Sequence, residues 1–100
     1  MSYRDEILKK IKDQYPYLVK AYAVEKIGLF GSVARQSETA HSDIDLIVKF
    51  SQPIGFRFMD FVEYIEKILG RKVDVLTPEG AKNIRVAAVQ AEIERDIIYV

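Results

Sequence analysis

Cysteine is absent from the 100-residue chain. That excludes a disulfide frame, a thiolate zinc site and a thiol nucleophile, so a metal could meet only oxygen ligands or the single His41, a donor set that points toward magnesium. Net charge is absent too, because 15 acidic residues balance 15 basic ones. A chain so balanced is not a general nucleic-acid coat, and no direct nucleic-acid binding is expected. Long apolar runs are missing: none approaches the roughly 20 residues that span a bilayer, and the charged start Ser2-Tyr3-Arg4-Asp5-Glu6 lacks the apolar core of a signal peptide. No membrane partner is expected, and the cytoplasm is the expected location. Repeats, low-complexity stretches and long linkers are lacking as well. What remains is 49% apolar and 30% charged residues, the make-up of an ordinary folded domain with room for one core. Residues 1–100 are therefore expected to form a single domain.

Helical and strand signals alternate along the chain. Ile7, Leu8, Ile11 and Tyr15 share a helical face, and Pro16 interrupts the pattern, so a helix is expected over roughly 3–14, with a further turn or two to about Tyr22. Lys26 to Phe30 reads as a strand running into Gly31-Ser32, after which Val33 to Gln36 opens a short helix with Ser32 as its N-cap. Residues 37–42 are polar and turn-like, and 43–50 resume as a strand ended by Ser51-Gln52-Pro53. Phe58, Phe61, Val62, Ile65, Ile68 and Leu69 keep helical spacing up to Gly70, a C-terminal stop. A strand over 71–76, a turn at 77–80, a helix over about 83–95 and a short strand over 96–100 complete the expected order. The fold class is mixed α/β (α+β), a small mixed sheet flanked by helices.

Two of these strands carry aspartates in their interiors, where the residue is depleted and costly to bury. Alternation puts Asp43 and Asp45 on one face, with Ile44 and Leu46 on the core face. In Val73-Asp74-Val75 the valines and the aspartate separate in the same way, so a neighbouring strand could add a third carboxylate. Three converging carboxylates repel one another unless cations lie between them, and all-oxygen coordination with bound phosphate suits Mg²⁺. A two-metal phosphoryl or nucleotidyl transfer site follows from that chemistry. A lone Asp-x-Asp also occurs as a solvated strand edge, and a lone Gly-Ser is often only a loop. Here a strand runs into Gly31-Ser32, which offers backbone N–H groups and a hydroxyl to phosphate. Ten residues, 33 through 42, separate the pair from Asp43-Ile44-Asp45, and Asp74 follows on a later strand. The combination is far more specific than its parts.

On these residues the chain resembles the polymerase-beta-like nucleotidyltransferases. The resemblance lies in Leu29-Phe30-Gly31-Ser32-Val33-Ala34-Arg35 followed by Ser42-Asp43-Ile44-Asp45-Leu46-Ile47-Val48. More narrowly it is similar to the minimal nucleotidyltransferase (MNT) antitoxins, whose partner toxin is a helical HEPN ribonuclease. That match extends through Pro53-Ile54-Gly55, Gly70-Arg71-Lys72-Val73-Asp74-Val75-Leu76-Thr77-Pro78 and Ile98-Tyr99-Val100. One departure is Gln36-Ser37, where many relatives have a glycine directly after the arginine. The resemblance implies the nucleotidyltransferase fold, two Mg²⁺ ions and ATP as substrate. It implies that Asp43 and Asp45 hold both metals, that Asp74 completes the catalytic metal site and helps deprotonate the attacking hydroxyl, and that Gly31 and Ser32 hold the β and γ phosphates. Arg35 is expected either to touch the triphosphate or to form a structural salt bridge.

The acceptor implied by the resemblance is the cognate HEPN toxin, modified with AMP on a tyrosine, since the catalytic elements consume nearly all the length and leave no room for an acceptor-holding domain. The alternatives are a non-catalytic antitoxin that masks its toxin and, less favoured, transfer to a small molecule. The pattern Ile84, Ala87, Ala88, Ala91 against Val86, Val89, Ile93 makes the last helix apolar on two sides, a partner face or a face covered by the first helix. Tyr64 and Phe56-Arg57-Phe58-Met59 offer either core packing or a docking patch. Arg57, Arg71, Lys72, Lys82 and Arg85 are solvated or meet an acidic or phosphate surface. His41, two residues before Asp43, is expected to be an exposed loop residue rather than a metal ligand, and the spacing of the six tyrosines singles out none for self-modification.

Overall fold

A computed structural model describes residues 2–82 and 87–100. The first helix, α1 (Tyr3–Tyr22), is longer than its periodicity suggests and runs through Pro16 without ending. Ser2 caps it, its hydroxyl accepting from the Asp5 amide at 3.1 Å. A proline inside a helix removes one backbone bond and costs about 3 kcal/mol. Packing offsets that here: Leu18 is fully buried on the same stripe as Ile7 and Ile11, and each such side chain contributes roughly 1.5–3 kcal/mol. Tyr17 and Tyr22 then join an aromatic cluster with Tyr64 and Phe61, at centroid separations of 5.0 to 6.3 Å. Ala23 closes the helix in the left-handed conformation, its N–H reaching Val19 O at 3.1 Å.

Four strands form one mixed sheet, β1 (Val24–Phe30), β2 (Ile44–Phe50), β3 (Val73–Leu76) and β4 (Ile98–Tyr99), in the order β3-β2-β1-β4. The β2–β3 pair is parallel and the other two are antiparallel. β1 starts two residues earlier than its alternation predicts, because the register shifts between Val24 and Lys26. The bulge lets Val24 enter the core alongside Ile27 and Leu29 although their spacing is odd. On β2 the alternation is clean: Ile44, Leu46 and Val48 are fully buried, while Asp45 and Ile47 are half-buried and Lys49 is exposed.

The core lies between this face of the sheet and α1 with α3 (Arg57–Leu69). Phe61, Ile65 and Leu69 of α3 are buried, and Gly70 ends the helix at a left-handed φ of 71°, as its sequence position implies. Between β1 and β2 lies α2 (Gly31–Ala34). Its first turn closes at Gly31, whose carbonyl accepts from Arg35 N at 3.1 Å, and the cap position falls on Phe30. Ser32 is thus inside the first turn rather than at its N-cap. The expected turn at 77–80 is also helical, α4 (Pro78–Lys82). The reason is local: Thr77 Oγ1 accepts from Gly80 N at 3.1 Å, and proline is well suited to the first helical position.

The last helix, α5, spans Ala87–Asp96 in the described residues. Ile84, Arg85 and Val86 of the two-sided apolar and basic patterns lie outside them, while Ile93 is buried and Ala91 exposed. The region around α3's start divides. Tyr64 packs against the core and donates to Gln14 Oε1 at 2.7 Å. Phe56 and Met59, by contrast, are 98% and 64% exposed. Arg57 lies over the Tyr22 ring at 5.5 Å. Among the described residues no helix is long and apolar enough to cross a membrane.

Candidate active site

The sheet brings three of the sequence-selected elements to one end of the face turned away from the α1–α3 core. β1 delivers Phe30-Gly31, and Phe30 is the register partner of Asp45 on β2. Asp45 is in turn the register partner of Asp74 on β3. In a parallel pair, partners in register project to the same side, at a strand spacing of about 4.8 Å. The third carboxylate anticipated from a neighbouring strand is thus placed beside Asp45. Asp43 stands one residue before β2 and is half-buried. Its chain direction is set by the next residue, Ile44, whose N–H donates to Lys72 O at 3.0 Å. On the outer side of β3, Glu66 of α3 accepts from Val73 N at 3.0 Å, which occupies an edge amide next to Asp74.

Gly31 has a φ of +78°, and a Cβ at this position would lie 3.0 Å from Asp45 Cγ and closer still to Oδ2. The strand-to-helix turn therefore passes directly against the carboxylate, and only glycine leaves room for both. Ser32 follows at half-buried depth, and its carbonyl accepts from Ser37 N at 2.9 Å, folding the next segment back over the helix.

Electrostatically the site is under-compensated. Partial burial, then the charges of Asp74 and Asp43, push the Asp45 carboxyl up to about 6, against the opposing pull of Arg35. Arg35 itself pairs with Asp96, Nη1 to Oδ2 at 2.8 Å. Its hydrogen bond, with a second one from Arg95, holds Asp96 below the usual carboxylate range. This salt bridge is one of the two roles expected for Arg35. Asp96 had no signal of its own in the sequence, since its partner lies 61 residues away. His41 is exposed in the turn before Asp43, its amide donating to Thr39 Oγ1 at 3.3 Å.

The donor set fits magnesium. It consists of carboxylate oxygens, and the raised Asp45 carboxyl, owed first to partial burial and then to the charges of Asp74 and Asp43, marks a place where a cation would be stabilising. Among the described residues no three such side chains close on their own into a metal cage. An open set suits Mg²⁺, which is commonly held by one or two carboxylates plus substrate phosphates and retains several waters.

Comparison with known proteins identifies the family and the fold. Residues 4–100 match the family model described as the nucleotidyltransferase domain. A relative from Methanocaldococcus jannaschii, provisionally named a protein adenylyltransferase, is 44% identical over 98 residues, covering 95% of this chain and 92% of its own. A solved structure provisionally described as a minimal nucleotidyltransferase superposes with a TM-score of 0.65 at 25% identity, covering 98% of this chain and 95% of that one. A chain from the complex of a tri-AMPylated Shewanella oneidensis HEPN toxin with its MNT antitoxin has the same fold, with a TM-score of 0.53 at 16% identity and coverage of 97% and 67%.

Proposed function

The chain belongs to the nucleotidyltransferase domain family, and on that premise we propose that it is a Mg²⁺-dependent protein adenylyltransferase acting as an antitoxin. It transfers AMP from ATP to a tyrosine hydroxyl of a cognate HEPN ribonuclease toxin in the cytoplasm, and residues 1–100 work as one minimal domain. The observation that carries this reading is the in-register placement of Asp74 beside Asp45, with the Gly31 turn against the same carboxylate. The relative named as a protein adenylyltransferase and the AMPylated toxin complex of like fold support the choice of acceptor.

Two bound Mg²⁺ ions would neutralise the triphosphate and stabilise the attacking and leaving oxygens. Asp43 and Asp45 would hold both, and Asp74 would complete the site. Asp74 is exposed, so an incoming hydroxyl can reach it and give up its proton there. The backbone amides and hydroxyl at Gly31-Ser32 hold the β and γ phosphates, and Arg35, tethered by Asp96, adds positive charge on the next turn of chain. The acceptor oxygen then attacks the α-phosphorus in line, a new P–O bond forms, and the bond to pyrophosphate breaks.

A second reading, a binding antitoxin that masks its toxin, is favoured by one feature, the exposed Phe56 and Met59 at the start of α3. Mass spectrometry of the purified toxin after incubation with the protein, ATP and Mg²⁺ decides between them. One or more added AMP units, lost with Asp43→Ala or Asp45→Ala in a folded protein, supports transfer. Neutralisation without a mass gain supports masking, and label appearing only on a small molecule would replace both.

A further inference from the structure

Arg71 lies outside the carboxylate set yet touches both segments that build it. It precedes β3 and sits three residues before Asp74. Its Nη1 donates to two main-chain carbonyls of the turn before Asp43, Ser42 O at 3.2 Å and Thr39 O at 3.4 Å. Tyr3, the first residue of α1, lays its ring under the same guanidinium, 4.6 Å from centroid to Cζ. The gripped turn is a closed unit: Ser42 N donates to Thr39 O at 3.1 Å, and Thr39 N donates to Ser42 Oγ at 2.9 Å. Asp43 therefore emerges between two fixed points, Ser42 O held by Arg71 and Ile44 N held by Lys72 O.

We infer that Arg71 is a positioning residue for transfer, fastening the turn that delivers Asp43 to the strand that delivers Asp74. The contacts stand by themselves; only the expected effect on transfer rests on the adenylyltransferase reading. An aspartate just outside a strand has one neighbouring ladder bond to set its direction, and a polar turn such as 37–42 is where local opening is cheapest. Charge-assisted bonds from a cation to both carbonyls close that freedom. Arginine suits the task because the two N–H bonds of Nη1 can serve both carbonyls while the guanidinium face stays on an aromatic ring; lysine offers a point charge without a plane. The same contacts turn the guanidinium toward protein carbonyls, so a direct role on the nucleotide is not what this side chain is arranged for.

The first test needs no nucleotide, metal or partner. Hydrogen exchange of the full chain with Arg71→Ala should show the amides of Ser42 and Ile44 exchanging about tenfold faster or more, while those of Gly28 and Ile47, which face each other across the β1–β2 pair, stay unchanged. Transfer kinetics are the second test. The expected pattern is a fall in kcat of about ten- to a hundredfold, the scale of a displaced reacting group, with KM for ATP nearly constant because Gly31-Ser32 are untouched. Arg71→Lys should recover only part of the loss. Tyr3→Phe should behave as wild type, and Tyr3→Ala should resemble a mild Arg71→Ala, which keeps the test available should Arg71→Ala fold poorly. Unchanged exchange at Ser42 and Ile44 overturns the inference, as does faster exchange with an unaltered kcat, or a raised KM at constant kcat, the mark of a phosphate contact. If the wild-type protein transfers nothing, the adenylyltransferase reading fails while the exchange experiment still reports on the clamp.

Discussion

Gly31 occupies the space against which the Asp45 carboxylate closes. With φ at +78°, it holds a conformation that side chains resist, and a Cβ there would meet Asp45 Cγ at 3.0 Å. The turn proposed to hold phosphate and the strand proposed to hold metal are packed against each other through this one missing side chain. Gly31→Ala should therefore cost about 1–3 kcal/mol of stability from the forced backbone and the clash. It should also suppress transfer by displacing Asp45. Urea unfolding and a labelled-ATP assay measure the two effects, and an alanine variant with wild-type activity would show that the contact has no functional consequence.

Asp45 makes stability depend on pH with a sign opposite to that of a salt-bridged aspartate. Its folded-state carboxyl titrates at about 6, whereas an unfolded aspartate titrates near 3.9. Between those values the folded protein binds more protons than the unfolded one, so this residue's contribution to stability falls as pH rises from about 4 to 6 and stays low above that. Asp45→Asn should flatten this part of the urea-midpoint profile and raise the midpoint at pH 7. In wild type, Mg²⁺ with nucleotide should stabilise more at pH 7 than at pH 5, because the ligand is the ionised carboxylate. Equal stabilisation at both pH values would place the cation elsewhere.

Gln36, where the family resemblance leads one to expect glycine, is accommodated by a side-chain partner. The position is left-handed, with φ of 60°, a region that costs a non-glycine residue about 1–2 kcal/mol. With its amide oriented to satisfy both partners, the Gln36 carbonyl accepts from Arg4 Nη1 at 3.1 Å and Nη2 at 3.2 Å. Arg4 also donates to Ala34 O at 3.3 Å, so the end of α2 is tied to α1. Gln36→Gly trades the lost hydrogen bonds and the gain in unfolded-chain entropy against relief of strain, and should change stability by less than about 1 kcal/mol. Gln36→Val keeps the strain and loses the partner, and should cost about 2 kcal/mol or more. Thermal or urea unfolding of both variants checks the ordering, and a valine variant as stable as the glycine one would refute it.

Much of the site was legible because it is written in local periodicity. Ile44 and Leu46 are buried and Asp45 is not, as the two-residue repeat of a strand requires. The α3 stripe of Phe61, Ile65 and Leu69 and its Gly70 stop were equally plain. Structure and local signal part where packing or a neighbouring cap outweighs a single residue's preference. Pro16 predicts a break that the buried Leu18 and the aromatic cluster override. The Thr77-Pro78 start of α4 is a helix signal that the glycine at position 80 obscured. The division of the α3 region into a packed Tyr64 and an exposed Phe56 depends on what stands opposite each side chain.

Composition and periodicity by themselves determined a donor set without thiolates, the faces on which Asp45 and Asp74 stand, and the strand-to-helix place of Gly31-Ser32. Each follows from stereochemistry within a few residues. Only the tertiary structure decided that β3 runs parallel beside β2 with Asp74 opposite Asp45, that Gly31 closes on that carboxylate, that Arg35 reaches Asp96, and that Arg71 grips the turn before Asp43. Local geometry can say which way a side chain points from its strand. Which distant strand lies beside it is set by how the whole core packs.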